Sequence, residues 1–152
     1  MTRIKLVPVT KSNWLMCVKL NVKEDQKPFI ASNLFSIAEY QFFDHMRMRA
    51  IYYGKEMIGF AMYGLDEDEG GLWIYRFMID ENYQDRGLGR ESFQCVMEDV
   101  KDWARRLNKQ TVTITYHSDN TRGKEFYQQV GFVPTDEVIE GEEVARYSLF
   151  RN

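Results

Sequence analysis

The sequence predicts a mixed α/β fold in which antiparallel strands come first, a parallel crossover follows, and helices cover both faces of the sheet. Three observations lead to this prediction. Apolar runs separated by turn residues occupy residues 49–79, an amphipathic helix stands between two strand-like runs in the second half, and glycines mark the junction where strand gives way to helix. A strand, a helix and a strand in this order imply a parallel pair joined by a right-handed crossover.

The N-terminal part combines one strand with two helices. Residues Arg3 to Val9 alternate between apolar and polar as a strand does. Thr10 or Ser12 can cap a first helix. Its apolar members are Trp14, Leu15, Val18 and Leu20. The segment Glu24 to Tyr40 is predicted to be a loop and a short second helix, because Pro28 interrupts any longer helical run.

Strands connected by turns follow. Ala50–Tyr53 and Met57–Tyr63 form a hairpin around a Gly-Lys turn, and a second turn, Leu65–Gly71, leads into the strand Leu72–Ile79. The second turn carries four adjacent acids, which are Asp66, Glu67, Asp68 and Glu69. Two interpretations of these acids are open: an ordinary solvated loop, or an attractor for a polycation.

The C-terminal half contains the most regular amphipathic helix of the chain. Its apolar residues recur at three- and four-residue steps and are Phe93, Val96, Met97, Val100, Trp103, Ala104 and Leu107. Thr111–Tyr116 is rich in β-branched residues and is predicted to be a strand. A last helix is expected over Asn120–Gln129, ending at Gly131, and Val138–Phe150 is expected to form a final hairpin.

Length and composition fit one domain spanning residues 1–152, and 44% hydrophobic residues suffice for a core without disulfides or metals. The net charge of −3 argues against a nucleic-acid partner and weakly favours a cationic one. Two cysteines and two histidines, all isolated, give no reason to expect a disulfide framework or a metal site. No apolar run approaches the length of a membrane span and no signal sequence is evident, so a cytoplasmic protein is expected.

The stretch Tyr75–Arg90 is the best candidate for the site of chemistry. Gly87 and Gly89 lie where strand gives way to helix, and glycine allows a bulky anion to approach the main chain closely. Free amides at a helix start favour phosphate, and Arg86 and Arg90 would add charge-assisted contacts. A tight turn without a ligand is the alternative interpretation. The stretch has neither a Gly-Lys-Ser/Thr ending nor a third glycine, which excludes two better-known phosphate loops.

A second motif strengthens the first. Asn120-Thr121-Arg122 is followed by Phe126-Tyr127-Gln128-Gln129-Val130-Gly131-Phe132. Together with Gln84–Gly89, this resembles the acetyl-CoA-binding core of the GNAT N-acetyltransferases, with its Gln/Arg-x-x-Gly-x-Gly/Ala and Asn, then Phe-Tyr-x-x-x-Gly-Phe patterns. Ile58–Gly64, the acidic turn and Trp73–Gln84 are most similar to the bacterial spermine/spermidine acetyltransferases of the diamine N-acetyltransferase type.

The resemblance implies acetyl-CoA as acetyl donor and assigns residues to it. The pantetheine arm would lie against Phe77, Met78 and Ile79 at the end of the strand. The pyrophosphate would bind the main chain at Gln84, Asp85, Arg86, Gly87, Leu88, Gly89 and Arg90. Asn120 would contact the cofactor from the other side. The family also leads us to expect a homodimer.

The implied reaction is attack of a free amine on the acetyl thioester. An amine with a pKa near ~10 must first lose a proton, which costs roughly 4 kcal/mol at neutral pH. The departing thiolate has a conjugate acid with a pKa near ~8.5, so a nearby hydroxyl can protonate it. By resemblance Tyr127 is that acid; a core tyrosine is the alternative. Main-chain amides near Met78 can polarise the thioester carbonyl.

The base is harder to assign. Tyr75 and Arg76 stand where some polyamine acetyltransferases carry a carboxylate, so Glu24 and Glu39 become the candidates, with ordinary surface carboxylates as the alternative. Three further residues, Gln26, Tyr40 and Trp73, are expected to line the acceptor pocket together with Tyr75, although Tyr40 and Trp73 also fit a core.

The favoured function is acetylation of a polyamine such as spermidine or spermine. The alternatives are acetylation of a peptide, a protein or another small amine, and a non-catalytic acyl-CoA-binding regulatory module.

Overall fold

Seven strands and four α-helices make up most of the part of the chain that this computed structural model describes, residues 3–68 and 70–150. The strands are β1 (Ile4–Pro8), β2 (Met46–Tyr53), β3 (Glu56–Leu65), β4 (Leu72–Ile79), β5 (Thr111–Tyr116), β6 (Val133–Ile139) and β7 (Glu142–Ser148). The α-helices are α1 (Trp14–Val18), α2 (Asn33–Tyr40), α3 (Leu88–Leu107) and α4 (Thr121–Gln129). Short 3₁₀-helices cover Glu24–Phe29 and Glu81–Tyr83. Glu69 of the acidic turn lies outside the described residues.

The strands form one sheet in the order β1-β2-β3-β4-β5-β7-β6. Every neighbouring pair is antiparallel except β4 and β5, which run parallel and are joined by the long helix α3. The mixed fold predicted from the sequence, with a crossover between antiparallel arms, is therefore confirmed.

Helices cover both faces of the sheet because the strands bury apolar side chains on both sides. One cluster joins α3 to one face and includes the buried Phe93, Val96 and Ile114. The other joins α1 and α2 to the opposite face and includes Cys17 and Phe60. Neighbouring residues of β3 alternate between the two clusters, as the two-residue period of a strand requires.

A polar network fastens α3 to the sheet. Asp99 accepts hydrogen bonds from the Tyr63 hydroxyl and, at 3.0 Å, from Nη1 of Arg47. The guanidinium of Arg47 also lies over the ring of Trp103, 4.1 Å from its centroid. Because these partners come from β2, β3 and α3, the network fixes the helix against the middle of the sheet.

Strand β2 begins at Met46, earlier than the predicted start at Ala50. Arg47 and Arg49 break the apolar pattern in this part of the sequence. The ladder with β3 continues through both arginines, so tertiary pairing overrides the local signal.

Two other boundaries differ from the sequence-based prediction. The last hairpin begins at Val133 instead of Val138, because β6 is an edge strand whose mostly exposed residues and Pro134 give no apolar alternation. Helix α1 ends at Val18, so Leu20 lies beyond it.

Gly64 permits close approach of β2 and β3. A Cβ built at this position would lie 2.1 Å from the carbonyl oxygen of His45 and 2.9 Å from Cα of Met46, both backbone atoms. We expect Gly64→Ala to lower the free energy of unfolding by about 1–3 kcal/mol, because the strands must separate to admit the methyl group. Urea unfolding measures this change.

Gly71→Ala is the matched control, since a Cβ there would meet no atom within 4 Å. Equal stability of the two variants would contradict the close packing at Gly64.

Candidate active site

A cleft opens where β4 and β5 separate. The parallel pairing spans only Leu72 with Val112 and Trp73 with Thr113, after which the two strands diverge. Strand β4 continues to Ile79 on one side of the gap, while β5 continues to Tyr116 on the other. The resulting cleft has a volume of about 500 Å³, within the range typical of ligand sites.

A bulge in β4 brings two successive side chains to the face of the sheet that α1 and α2 cover. The register with β3 shifts so that Met62 pairs with Arg76 but Tyr63 pairs with Ile74, which leaves Tyr75 as the extra residue. Tyr75 packs with the α1/α2 cluster, and Arg76 contacts Glu39 of α2. Two successive side chains therefore reach the same face.

The backbone of β4 presents polar groups to the gap. The amide of Asp80 donates to the carbonyl of Ile58 on the β3 side. Because backbone groups alternate sides along a strand, those of Met78 also face β3, whereas those of Phe77 and Ile79 face the gap. Among the three predicted pantetheine contacts, Phe77 and Ile79 thus have backbone groups on the cleft side, and Met78 lines the cleft without directing its amide there.

The glycine turn ends at the start of α3. Gly87 is the N-cap with φ of 77°, a left-handed conformation that glycine adopts without strain, and it offers no capping side chain. The amides that open this helix are therefore not satisfied by a side-chain cap. Gly89 leaves the start of α3 without a side chain at this point. A Cβ added there would lie 3.7 Å from Ile79 and 3.9 Å from Phe126.

Charged residues around the turn form a bridge that the sequence did not predict. Asp85 accepts from Nζ of Lys23 at 2.7 Å and from Nη2 of Arg122 at 2.8 Å. The hydrogen bond from Lys23, which has the largest effect, and the one from Arg122 hold the pKa of the Asp85 carboxyl below its usual value. Arg86 instead lies over the ring of Tyr83 at 5.5 Å, and Arg90 donates to a main-chain carbonyl of α4.

Helix α4 positions the second motif. Asn120 is its N-cap, and its side-chain oxygen accepts from the amide of Gly123 at 3.0 Å. Two turns later Tyr127 packs among the rings of Phe93, Phe126 and Tyr116 beside the cleft. Burial raises the pKa of Tyr127 to about 12, so its hydroxyl keeps its proton at neutral pH.

Tyr75 connects the cleft with the acidic turn. Its ring stacks against Trp73 and Phe43, each with a centroid distance of 6.0 Å. Its hydroxyl donates to Asp66 at 2.7 Å. Burial and this hydrogen bond, with smaller contributions from Asp68 and Glu39, raise the pKa of Tyr75 above its usual value.

An ion pair stands beside Tyr75 on the same face. Nη2 of Arg76 lies 3.1 Å from Oε1 of Glu39, and Nη1 donates to the main-chain carbonyl of Tyr75. The side chains are only 18% and 31% exposed, so the carboxylate of Glu39 is held close to the bulge. Helix α2 thus places the carboxylate of Glu39 next to Arg76 of β4.

The segment before α2 is fastened to the glycine turn. The amides of Gln26 and Gln84 exchange two hydrogen bonds, at 3.0 and 2.9 Å, and Gln84 also donates to the carbonyl of Ile79. The main-chain amide of Asn21 donates to Asp80 at 2.8 Å. These contacts and the Lys23–Asp85 pair join the N-terminal segment to the residues that follow β4.

Most of the predicted site residues line one cleft. They are Gln26, Tyr75, Phe77, Met78, Ile79, Gln84, Asp85, Gly87, Gly89, Arg90, Asn120 and Tyr127. Among the described residues, six other predicted ones lie off its walls: Glu24, Glu39, Tyr40, Trp73, Arg86 and Leu88.

The positions of these outlying residues have simple causes. Leu88 is buried in the core, and Tyr40 packs against the α1/α2 cluster. Trp73 is 9% exposed and reaches the site only through Tyr75. Glu24 has an 89% exposed side chain that pairs with Lys27, which removes it from the group around Tyr75.

Other lining residues were not predicted as site residues. They are Val22, Phe29, Ile30, Arg76, Thr115, Tyr116, Arg122, Gly123, Phe126 and Gln129. Thr115 and Tyr116 end a parallel strand, and the carboxyl ends of parallel strands commonly form sites, so this signal was available. The segment around Val22 has no clear apolar periodicity, so no comparable signal marked it as part of a site.

Within residues 3–68 and 70–150, no group of three or more His, Cys, Asp or Glu side chains is arranged to hold a metal ion. In the same part of the chain, no helix combines the length and apolar character needed to cross a membrane.

Comparison with known solved structures supports the fold. The spermidine N-acetyltransferase of Vibrio cholerae, solved with CoA and spermine, superimposes with a TM-score of 0.68 at 15% identity, covering 95% of this chain and 93% of that one. The ribosomal-protein-S18-alanine N-acetyltransferase of Escherichia coli gives a TM-score of 0.70 at 13% identity, covering 98% and 96%. At these identities the likeness concerns the fold alone.

Sequence comparison is more specific. A spermine/spermidine N(1)-acetyltransferase of Bacillus subtilis (strain 168) is 29% identical over 135 residues, which cover 85% of this chain and 87% of the relative. The model of the Acetyltransferase (GNAT) family matches residues 14–132, which include the glycine turn, α3, β5 and α4. The chain therefore belongs to the GNAT family and is an acetyl-CoA-dependent N-acetyltransferase.

Proposed function

We propose that residues 1–152 act as one catalytic domain that transfers the acetyl group of acetyl-CoA to a primary amine of a polyamine such as spermidine or spermine. The observation that carries the proposal is Tyr75, which lines the cleft, stacks with two aromatic rings and lies among the carboxylates of Asp66, Asp68 and Glu39. Aromatic faces and carboxylates together suit a chain that carries several positive charges. The similarity to the Bacillus spermine/spermidine enzyme supports the same acceptor.

The residues of the cleft fit CoA. The start of α3 offers amides without a side-chain cap, and Lys23 and Arg122 bring positive charge to the same turn, which suits phosphate. The backbone of Phe77 and the main-chain amide of Ile79, whose carbonyl already accepts from Gln84, can bind the pantetheine arm, and Asn120 borders the opposite wall. Acetyl-CoA, when bound, supplies the thioester that the amine attacks.

Tyr127 is the proposed general acid. Its half-buried side chain lines the cleft, and its raised pKa of about 12 keeps a proton on Oη throughout the neutral range. A hydroxyl in this state can give its proton to a departing thiolate, because the thiol that forms has a pKa near ~8.5.

Glu39 is the carboxylate best situated to serve the acceptor amine. The Arg76 pair fixes its position beside Tyr75 on the acceptor side of the bulge. From there it can hold an ammonium group near the cleft and accept its proton through water. Glu24, which is exposed and paired with Lys27, is the weaker candidate.

The first prediction concerns the glycine turn. Gly89→Val should weaken CoA binding at least about tenfold, equivalent to about 1.4 kcal/mol, because the branched side chain occupies the approach to the helix amides. Isothermal titration calorimetry with CoA measures the effect. Glu98→Val places the same residue at an exposed site of the same helix and should leave the affinity unchanged. Unchanged affinity in Gly89→Val would exclude the turn as the phosphate site.

The second prediction concerns Tyr127. Tyr127→Phe should lower kcat about 10²-fold or more while CoA affinity stays near that of the wild type, because the change removes a proton donor and keeps the ring. Steady-state kinetics and titration separate the two quantities. Tyr147→Phe, a half-buried tyrosine outside the cleft, is the control.

The pH profile gives a further check on Tyr127. Its raised pKa predicts that its ionisation does not reduce wild-type kcat below about pH 10. An alkaline fall with a lower midpoint that disappears in Tyr127→Phe would show that the pKa assignment is wrong.

The third prediction identifies the acceptor. Spermidine and spermine should release free thiol from acetyl-CoA in the presence of the protein, and peptides with a free N-terminal amine should release much less. Asp66→Asn should raise KM for spermine about threefold to tenfold at low salt with little change in kcat, because the amide keeps the acceptor for the Tyr75 hydroxyl but removes the charge.

Asp136→Asn, on the exposed edge strand β6, is the charge-matched control. If peptide amines are acetylated and polyamines are not, the proposed acceptor is wrong.

A further inference from the structure

The hydroxyl of Tyr116 is a buried polar group without a hydrogen-bond partner among the described residues. Tyr116 is the last residue of β5, is 4% exposed and belongs to the core cluster under α3. Among the residues that the structure describes, none forms a hydrogen bond with its hydroxyl oxygen. A buried donor left unsatisfied is costly, so such groups are uncommon unless a ligand or water completes them.

Tyr116 borders the proposed cofactor cleft. The residue lines the same cleft as the glycine turn, on the wall opposite β4. Its ring lies nearly parallel to that of Tyr127, at a centroid distance of 6.3 Å and an interplanar angle of 11°. The two charged groups that act electrostatically on its hydroxyl, Glu143 and Lys124, pair with each other at 3.4 Å.

We propose that Tyr116 is a cofactor-binding residue whose hydroxyl donates a hydrogen bond to an amide carbonyl of the pantetheine arm of bound CoA. The phosphates would lie at the start of α3, while the ring of Tyr116 stacks on the proposed general acid, which serves the sulfur end. Between these two ends CoA carries amide groups, whose carbonyl oxygens are the acceptors that an unpaired hydroxyl requires. The proposal rests on the CoA-binding role proposed for this cleft and is independent of the acceptor amine.

Two other buried hydroxyls without a partner among the described residues, those of Ser36 and Ser92, provide a comparison. Neither residue lines the cleft. Ser36 belongs to α2 on the far side of the sheet from α3, so it reports the cost of an unsatisfied hydroxyl without contact to the cofactor.

Tyr116→Phe tests the proposal through the stability of the ligand-free protein. If the hydroxyl serves the cofactor, its removal should raise the unfolding temperature; if it has a partner within the fold, its removal should lower it. The unfolding temperature of the ligand-free protein should rise by about 2–4 °C, since an unsatisfied polar group is removed. Affinity for CoA and for acetyl-CoA should fall about fivefold, the usual effect of one lost hydrogen bond. Affinity for the adenosine bisphosphate fragment of CoA, which lacks pantetheine, should not change. Thermal unfolding and isothermal titration calorimetry measure these quantities.

Ser36→Ala is the control and should raise the unfolding temperature without altering CoA affinity. A Tyr116→Phe protein that binds CoA as the wild type does would overturn the proposal, as would equal weakening for the adenosine bisphosphate fragment. A lower unfolding temperature of the ligand-free variant would show that the hydroxyl has a partner within the fold. If the wild type itself does not bind CoA, the proposed cofactor site fails, which is a different result from a loss confined to Tyr116→Phe.

Discussion

The separation of β4 from β5 is the constraint on which the rest of the structure depends. Two residue pairs hold the parallel strands together, and beyond Trp73 each strand must satisfy its inner edge elsewhere. On β4 the carbonyls of Tyr75 and Ile79 receive side-chain donors from Arg76 and Gln84, whereas the backbone of Phe77 faces the gap. The cleft follows from this divergence. A sheet paired along its whole length would leave no space between the two halves of the molecule.

The segment before α2 and the turn after β4 come from different parts of the chain but are bonded to each other. The segment from Asn21 to Gln26 bonds to residues 80–85 through main-chain, amide and charged contacts. The same N-terminal segment leads into α2, whose Glu39 pairs with Arg76 of β4. One continuous N-terminal segment therefore contacts both the glycine turn and, through α2, the residues around Tyr75.

The sequence predicted the crossover and the order of its motifs because these depend on local signals. Each signal can be recognised within a short stretch of sequence: the apolar spacing of α3, the β-branched run of β5 and the glycines at the turn. The bulge at Tyr75 could not be predicted from the sequence, because it arises from the register between β3 and β4. The Asp85 bridge joins residues 23, 85 and 122, and Glu39 reaches β4 only through the docking of α2. Such contacts between distant parts of the chain leave no periodic signal in any one of them.

The Asp85 bridge has a consequence for the speed of turnover. Its single carboxylate pairs with two cations, Lys23 and Arg122, so a phosphate at the proposed site would compete with Asp85 for them. Exchange of this kind reduces the net electrostatic gain of binding relative to two uncompensated cations. It also gives both cations a partner as soon as the phosphate leaves, which lowers the cost of dissociation. At the proposed CoA site, Asp85 would thus be an internal competitor that favours release of the product after each cycle.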